Sequence, residues 1–426
     1  MARSQNTRLR SSPLAVVSAF ALLLLLIAGG FYFARRSGSD PHHYENDFNV
    51  YYFASQEVIE GRDPYKNSLG EWTPYLYLPL LAELIIPLAL MPLPAAGYFW
   101  FLVGAVSLIL AAWMSATLAL KHTTSNSGSQ RLLVAALATA AVIRFALDNF
   151  DYGQVNTLVA ALSVAHVFLY EKKRKLSSAI ALAIAASIKL TPLILLVYYL
   201  AKRRPKFVAI CIALFISITA LSFAPFRSHA PAAFQTFVHR TLNNEQGFDL
   251  AYSGNQSLRG ALARLRGDEG ESARVPGDPI TLAISLAMLA GSALTAMRRP
   301  ASSGSSASLF CCIPLLSPLA WKGHFVVLIF PIALVISEVI WKPRSKSRFG
   351  LVAVLILVFA LLNLTSPRVI GLAASEWADR HSLICAAVVL IYLATIWSTL
   401  CSQNSDEIEG AAASYPQCND NPPGVC

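Results

Sequence analysis

Long apolar runs separated by short basic clusters dominate this chain. A hydrocarbon core about 30 Å thick needs roughly 17 to 25 apolar residues per helix. Pro13 to Phe33 is the first such run, preceded by Arg3, Arg8 and Arg10. It continues to Arg35 without a convincing small-residue cleavage site, so it reads as a retained anchor and not a signal peptide. The segment from Asp40 to Glu71 is rich in acids, and because Lys and Arg prefer the inside, the N-terminus is predicted to be cytoplasmic. The clusters Lys172 to Lys175, Lys202 to Lys206, Arg298 to Arg299 and Lys342 to Arg348 read as cytoplasmic on the same ground.

Parity then orients the other runs. Val155 to Tyr170, Leu132 to Leu147 and Ala95 to Leu120 alternate in direction, which leaves Leu78 to Leu93 without a crossing. That stretch carries Pro79, Glu83, Pro87, Pro92 and Pro94, and is expected as an interfacial or re-entrant helix on the outer side. Leu176 to Ala201 and Leu309 to Trp341 each have a basic cluster at both ends and must cross twice. The first should break near Lys189, Thr191 and Pro192, the second near Pro318, Trp321, Lys322 and His324. Adding Val208 to Phe226, Ile280 to Met297, Leu351 to Leu364 and Leu383 to Leu400 gives an all-α polytopic membrane protein of about 12 crossings. Residues 1–401 form one membrane domain with outer loops 35–78 and 227–279, and residues 402–426 form a polar cytoplasmic tail without fixed structure. The Ser-rich stretch Ser302 to Ser308 reads as a cytoplasmic linker. No tandem repeat is visible.

Composition agrees with a membrane protein: 426 residues, 55% hydrophobic and only 14% charged. The net charge of +10 lies in clusters between apolar runs, which indicates orientation and not nucleic-acid binding. Cys211, Cys311, Cys312, Cys385 and Cys401 lie in apolar runs and Cys418 and Cys426 in the tail, so neither a disulfide framework nor a zinc site follows. There is no glycine-rich phosphate loop, HExxH pattern, Gly-x-Ser-x-Gly elbow or haem-attachment sequence.

The polar residues that topology leaves unexplained fall on the outer side. Asp47 to Glu60 has helical spacing with Gly61 as a stop, and Asp47 at its start is either a dipole partner or a reactive carboxylate. Asp148-Asn149-Phe150-Asp151-Tyr152-Gly153-Gln154-Val155-Asn156 reads as a polar turn, yet a turn has no need of Gln154 and Asn156 entering the next apolar run. They either stabilise the bundle or meet a ligand. Lys189 inside an apolar stretch must face a partner, an anion or the surface, and Lys322 and His324 at the second break invite the same readings. Asn255, Gln256, Ser257, Arg259, Arg264 and Arg266 form a donor set suited to sugar hydroxyls and a phosphate, or to anionic lipid heads. Asn255-Gln256-Ser257 and Asn363-Leu364-Thr365 also match the glycosylation sequon.

Together the blocks Asp47-Phe48-Asn49-Val50-Tyr51-Tyr52, Gly61-Arg62-Asp63-Pro64-Tyr65, Gly153-Gln154-Val155-Asn156, Lys189-Leu190-Thr191-Pro192, Asn255-Gln256-Ser257-Leu258 and Ser317-Pro318-Leu319-Ala320-Trp321 resemble glycosyltransferase family 87, membrane enzymes of the GT-C fold. The resemblance implies an inverting hexosyltransferase, with mannose the first expectation, using a polyprenyl-phosphate donor and a glycolipid or glycan acceptor outside the cytoplasmic membrane. It makes Asp47 the general base, in a first loop carrying juxtamembrane helices. Lys189, Arg259 and His324 become donor-phosphate contacts. Tyr51, Tyr52, Tyr65, Gln154, Asn156, Asn255, Gln256 and Trp321 become sugar or acceptor contacts. No cofactor is implied and no metal is required by a single phosphate, although Asp47, Asp63 and Asp151 could bind one if brought together. The expected partners are these substrates and membrane lipids, with no nucleic acid. One departure stands out: the family often carries paired histidines after Ser-Pro-x-x-Trp, and here Lys322-Gly323-His324 supplies one, leaving the other role absent or taken by Lys322. A transporter or flippase for a lipid-linked or anionic solute would also use broken helices and a buried Lys.

Overall fold

The computed structural model describes residues 13–39, 46–65, 74–121, 127–242, 248–268, 277–299, 304–341 and 346–401. Among the described residues every regular element is helical. Arg3, Arg8, Arg10, most of the Lys342 to Arg348 cluster and the tail from Ser402 lie outside them.

Five helices are long and apolar enough to cross a membrane: Leu93–Ala119, Pro205–Ser222, Pro279–Arg298, Lys322–Trp341 and Leu383–Cys401. The pair Gly128–Ala141 and Ile143–Tyr152, bent by 66° at Val142, makes a sixth if it is one span. The protein is therefore polytopic, and all-helical over its described residues. The shorter apolar helices Asn156–Glu171, Lys175–Ile188, Thr191–Ala201, Gly304–Leu315 and Arg348–Leu364 would have to cross as well to approach the total of about 12 that parity requires. Pro205–Ser222 and Pro279–Arg298 leave large apolar side chains such as Leu221 and Leu282 open, as lipid-facing helices do.

Both expected breaks are present. Helix Lys175–Ile188 ends at an extended Lys189 (φ −145°, ψ 122°), and a 3-10 turn over Thr191–Leu195 leads into Leu196–Ala201. Pro192 has no N–H to continue the ladder and disfavours helix in the residue before it. Likewise Gly304–Leu315 stops before Pro318, and a 3-10 segment Lys322–Leu328 leads into Ile329–Trp341.

Two local expectations are corrected. The linker over Ser302 to Ser308 is, from Gly304 onward, the start of a fully enclosed helix with Ser305, Ser306 and Ser308 buried; small hydroxyls here admit close packing and need no water. Asp148 to Tyr152 is not a turn but the last turn of helix Ile143–Tyr152, stopped by left-handed Gly153 (φ 63°). The loop 227–279 contains helices Ala230–Phe237 and Leu258–Arg266. In the first loop Asp47–Ile59 is helical as the spacing requires, with Gly61 left-handed after it. Pro79–Ala89, eleven residues long, is too short to cross alone.

Leu93–Ala119 is the central post, packed on Pro13–Ser39, Asn156–Glu171, Ile329–Trp341 and Gly128–Ala141. A second, smaller core unites Phe33, Phe48, Tyr51, Tyr52, Trp100 and Phe237. It presses helix Asp47–Ile59 onto the helical ends beside Gly153. There the Trp100 indole N–H donates to the Gly153 carbonyl at 2.8 Å, and Arg36 pairs with Asp151.

A Cβ at Gly153 would lie 2.7 Å from the Phe33 ring and 2.8 Å from the Phe48 Cβ, and its backbone is left-handed. Gly153→Ala is therefore expected to cost about 1–3 kcal/mol and to lower the thermal unfolding midpoint in detergent. An unchanged midpoint would contradict the packing described.

Candidate active site

The two helix breaks and the start of helix Asp47–Ile59 open onto one cavity of about 450 Å³. Six residues expected from the sequence line it: Asp47, Tyr51, Gln154, Lys189, Trp321 and His324. Apolar Val50, Leu76, Leu78, Ile188, Leu190, Phe237, Phe248, Leu250 and Leu319 form most of the remaining wall.

The polar groups are wired together. The Lys189 ammonium donates to Asn156 Oδ1 at 2.7 Å and meets His324 Nε2 in a very close contact. Asn156 Nδ2 donates to Gln154 Oε1 at 2.9 Å. The Gln154 carboxamide in turn faces the Asp47 carboxylate and favours its charged form. Asp47 opens helix Asp47–Ile59, where burial raises its carboxyl to about 6 while the charge of Lys189 and the facing Gln154 carboxamide act the other way. Lys189 Nζ also lies 5.9 Å from the centroid of the Tyr77 ring. Tyr51 donates to the Tyr77 hydroxyl at 3.0 Å. Trp321 meets Tyr252 edge to face at 5.9 Å.

The other expected residues stand behind the wall. Asn156 is the support of Lys189. Tyr52 and Tyr65 spend their hydroxyls on the carbonyls of Met91 and Tyr77, each at 2.8 Å. Asn255, fully buried, clamps the second break: its Nδ2 donates to the carbonyls of Leu250 (2.9 Å) and Pro318 (3.0 Å), and its Oδ1 accepts from the amides of Ala320 (2.9 Å) and Ser257 (3.2 Å). Gln256 adds a backbone bond to Ala320 at 2.9 Å and donates its amide to Ser253 and Asp379. A non-helical segment buried in protein must pair its backbone groups, and the Asn255 block does this for Pro318 to Ala320. Burial also removes Asn255 and Asn363 as glycosylation acceptors. Arg259, 3% exposed, pairs with Asp268 at 3.0 Å and does not line the cavity. Lys322 is held by Asp379 at 2.6 Å and does not line the cavity. Asp63 accepts from the Tyr65 amide and Asp151 is held by Arg36; among the described residues no three His, Cys, Asp or Glu side chains come together.

Three contributors carried no signal in the sequence. Tyr77 and Arg240 line the cavity, and Asp379 braces its second break through Lys322, 57 residues away along the chain. Arg240 donates to the Tyr65 carbonyl.

The model of glycosyltransferase family 87 matches residues 75–319. The chain belongs to glycosyltransferase family 87. It is similar to a mycobacterial polyprenol-phosphate-mannose-dependent alpha-(1-2)-phosphatidylinositol mannoside mannosyltransferase, 27% identical in Mycobacterium tuberculosis over 71% of this chain and 72% of the relative. The Mycolicibacterium smegmatis protein of the same description is 26% identical over 71% and 72%. A phosphatidylinositol pentamannoside mannosyltransferase of Mycobacterium tuberculosis is 29% identical over 60% of this chain and 57% of its own. No solved structure matches. Asp47 and His324 fall outside the residues the family 87 model matches, yet the fold places both beside Lys189.

A cavity with Lys189 against a neutral amide acceptor and an imidazole has room for an anion. Lys189→Met is expected to weaken binding of a long-chain alkyl phosphate at least about tenfold, whereas Arg259→Met, whose partner is Asp268, should leave it unchanged. Isothermal titration in detergent measures both. Equal binding by Lys189→Met and the wild type would show that this is not an anion site.

Proposed function

We propose that this family 87 enzyme transfers a hexose, most simply mannose, from a polyprenyl-phosphate donor to a hydroxyl of a glycolipid or glycan, with Asp47 as general base and with inversion, at the extracytoplasmic face. The observation that carries the reading is that a carboxylate and the Lys189–His324 pair line the same largely apolar cavity. The printed names of the relatives supply the donor class, and their acceptors, phosphatidylinositol mannosides, make a mannolipid the first acceptor to try.

The chemistry follows from the residues. The acceptor hydroxyl oxygen bonds to the anomeric carbon as the carbon–oxygen bond to phosphate breaks, and the hydroxyl proton passes to the Asp47 carboxylate. A positioned base of this kind contributes about 10² to 10⁴ in rate. The bonding electrons leave with the polyprenyl phosphate, whose charge Lys189 and His324 stabilise. Gln154 holds the carboxylate in orientation, and Asn156 does the same for the ammonium. Tyr51 and Trp321 offer faces for a sugar ring. The apolar wall suits an isoprenoid chain that keeps the donor phosphate at headgroup depth. A flippase would need none of the carboxylate wiring, and membership of a glycosyltransferase family favours catalysis.

In this reading about 12 crossings, counted as basic clusters require, place the loop helices and the cavity mouth outside. A cysteine at Ser253 should therefore react with an impermeant thiol reagent on intact cells; reaction only after lysis would invert the topology.

Asp47→Asn should leave expression and the elution profile intact and abolish transfer from labelled polyprenyl-phosphate-mannose in membranes. Retained transfer would remove Asp47 as base. The carboxyl, raised to about 6, is protonated and inactive below that pH, so kcat/KM should fall about tenfold per unit below about pH 6 and level off above it. A flat profile from pH 5 to 8 would contradict the assignment.

A further inference from the structure

Gly323 precedes His324 in the 3-10 segment at the second break, and its backbone is not left-handed. Conformational freedom does not explain a glycine here; space does. A Cβ built on Gly323 would lie 2.0 Å from Gln154 Oε1, 3.1 Å from Asn149 Nδ2 and 3.2 Å from Asn156 Nδ2. Three carboxamides from the Ile143–Tyr152 and Asn156–Glu171 helices and the turn between them thus converge on one peptide. Asn149, 2% exposed, donates through Nδ2 to the Gly323 carbonyl at 2.8 Å and to the Phe145 carbonyl at 2.8 Å.

We propose that Gly323 is a positioning residue for the transfer reaction: its bare Cα is the seat of the Gln154 carboxamide, and Asn149 latches the seat in place. The inference rests on the functional reading above. The seat explains how the two halves of the site keep one register. Gln154 faces Asp47 and accepts from Asn156, Asn156 holds Lys189, and Gly323 carries His324 on the next residue. A side chain at 323 meets the far end of Gln154, not backbone, so the protein accommodates a methyl by turning that carboxamide out of its seat. The fold survives and the wiring does not.

Gly323→Ala is therefore expected to keep the thermal midpoint in detergent within about 3 °C of the wild type while lowering kcat for mannosyl transfer about 10²-fold, the scale of a displaced catalytic array, with a smaller rise in donor KM of about tenfold. In a Gln154→Ala background the same substitution should change kcat less than about twofold, because the group it displaces is already gone. Undiminished kcat in Gly323→Ala, or a loss of the same size in both backgrounds, would overturn the proposal. If Gly323→Ala does not fold, Asn149→Ala, which removes the latch without adding volume, carries the same two-background comparison and is read by the same criteria. A wild type that transfers nothing would sink the functional reading alone. The seat is then read from the Kd of polyprenyl phosphate, which Gly323→Ala should raise about tenfold through Asn156 and Lys189 in the wild-type background and not in Gln154→Ala. Equal Kd values in the first background would overturn it.

Discussion

The hydrogen bond from Lys189 to Asn156 is the contact on which the site depends. An ammonium among apolar helices must be paired or hydrated, and here its first partner is a neutral amide, with His324 beside it. The cation is oriented without being neutralised. A carboxylate at the same distance would have satisfied it and closed the cavity to anions. Asp47 instead reaches Lys189 through Gln154 and Asn156, so the acid and the cation are coupled and still separately available to substrate.

Holding that contact requires two helices to stop short, and each stop exposes backbone groups that must be repaid. Proline supplies the first stop at Thr191–Pro192. At the second, Asn255 bonds two carbonyls and two amides, Gln256 adds a rung to Ala320, and Asp379 fixes Lys322. The block Asn255-Gln256-Ser257 is thus architecture in support of Trp321 and His324. Its amide groups resemble a sugar-binding set in type, and only the fold shows that every one of Asn255's hydrogen-bonding positions is engaged with protein.

The parts of the structure legible from the pattern of residues are those set by local physics. Apolar run length marks the helices, proline and an isolated lysine mark the breaks, and a helical period closed by Gly61 marks the segment that starts at Asp47. What escapes is set by long-range pairing. Arg259 and Arg240 are both loop arginines of the same composition, and the first pairs with Asp268 while the second lines the cavity. Asp148 to Tyr152 is rich in turn formers, yet continuation of the helix to left-handed Gly153 brings Asn149 under the Gly323 carbonyl. The buried serines of Gly304–Leu315 look like a linker because hydroxyls that pack helices closely and hydroxyls that face water are the same residues.

The proposed reaction requires a lipid-borne phosphate docked against the Lys189–His324 pair, with the sugar's anomeric carbon within reach of a hydroxyl held by Asp47. A cryo-electron-microscopy map of the protein in nanodiscs with a non-transferable polyprenyl-phosphate-sugar analogue tests it most directly. The account predicts phosphate density in contact with the Lys189 ammonium, the isoprenoid chain along the wall of Ile188, Leu190 and Leu319, and the sugar facing Asp47. Phosphate density held elsewhere, with the Lys189 cavity filled only by lipid tails, would contradict it.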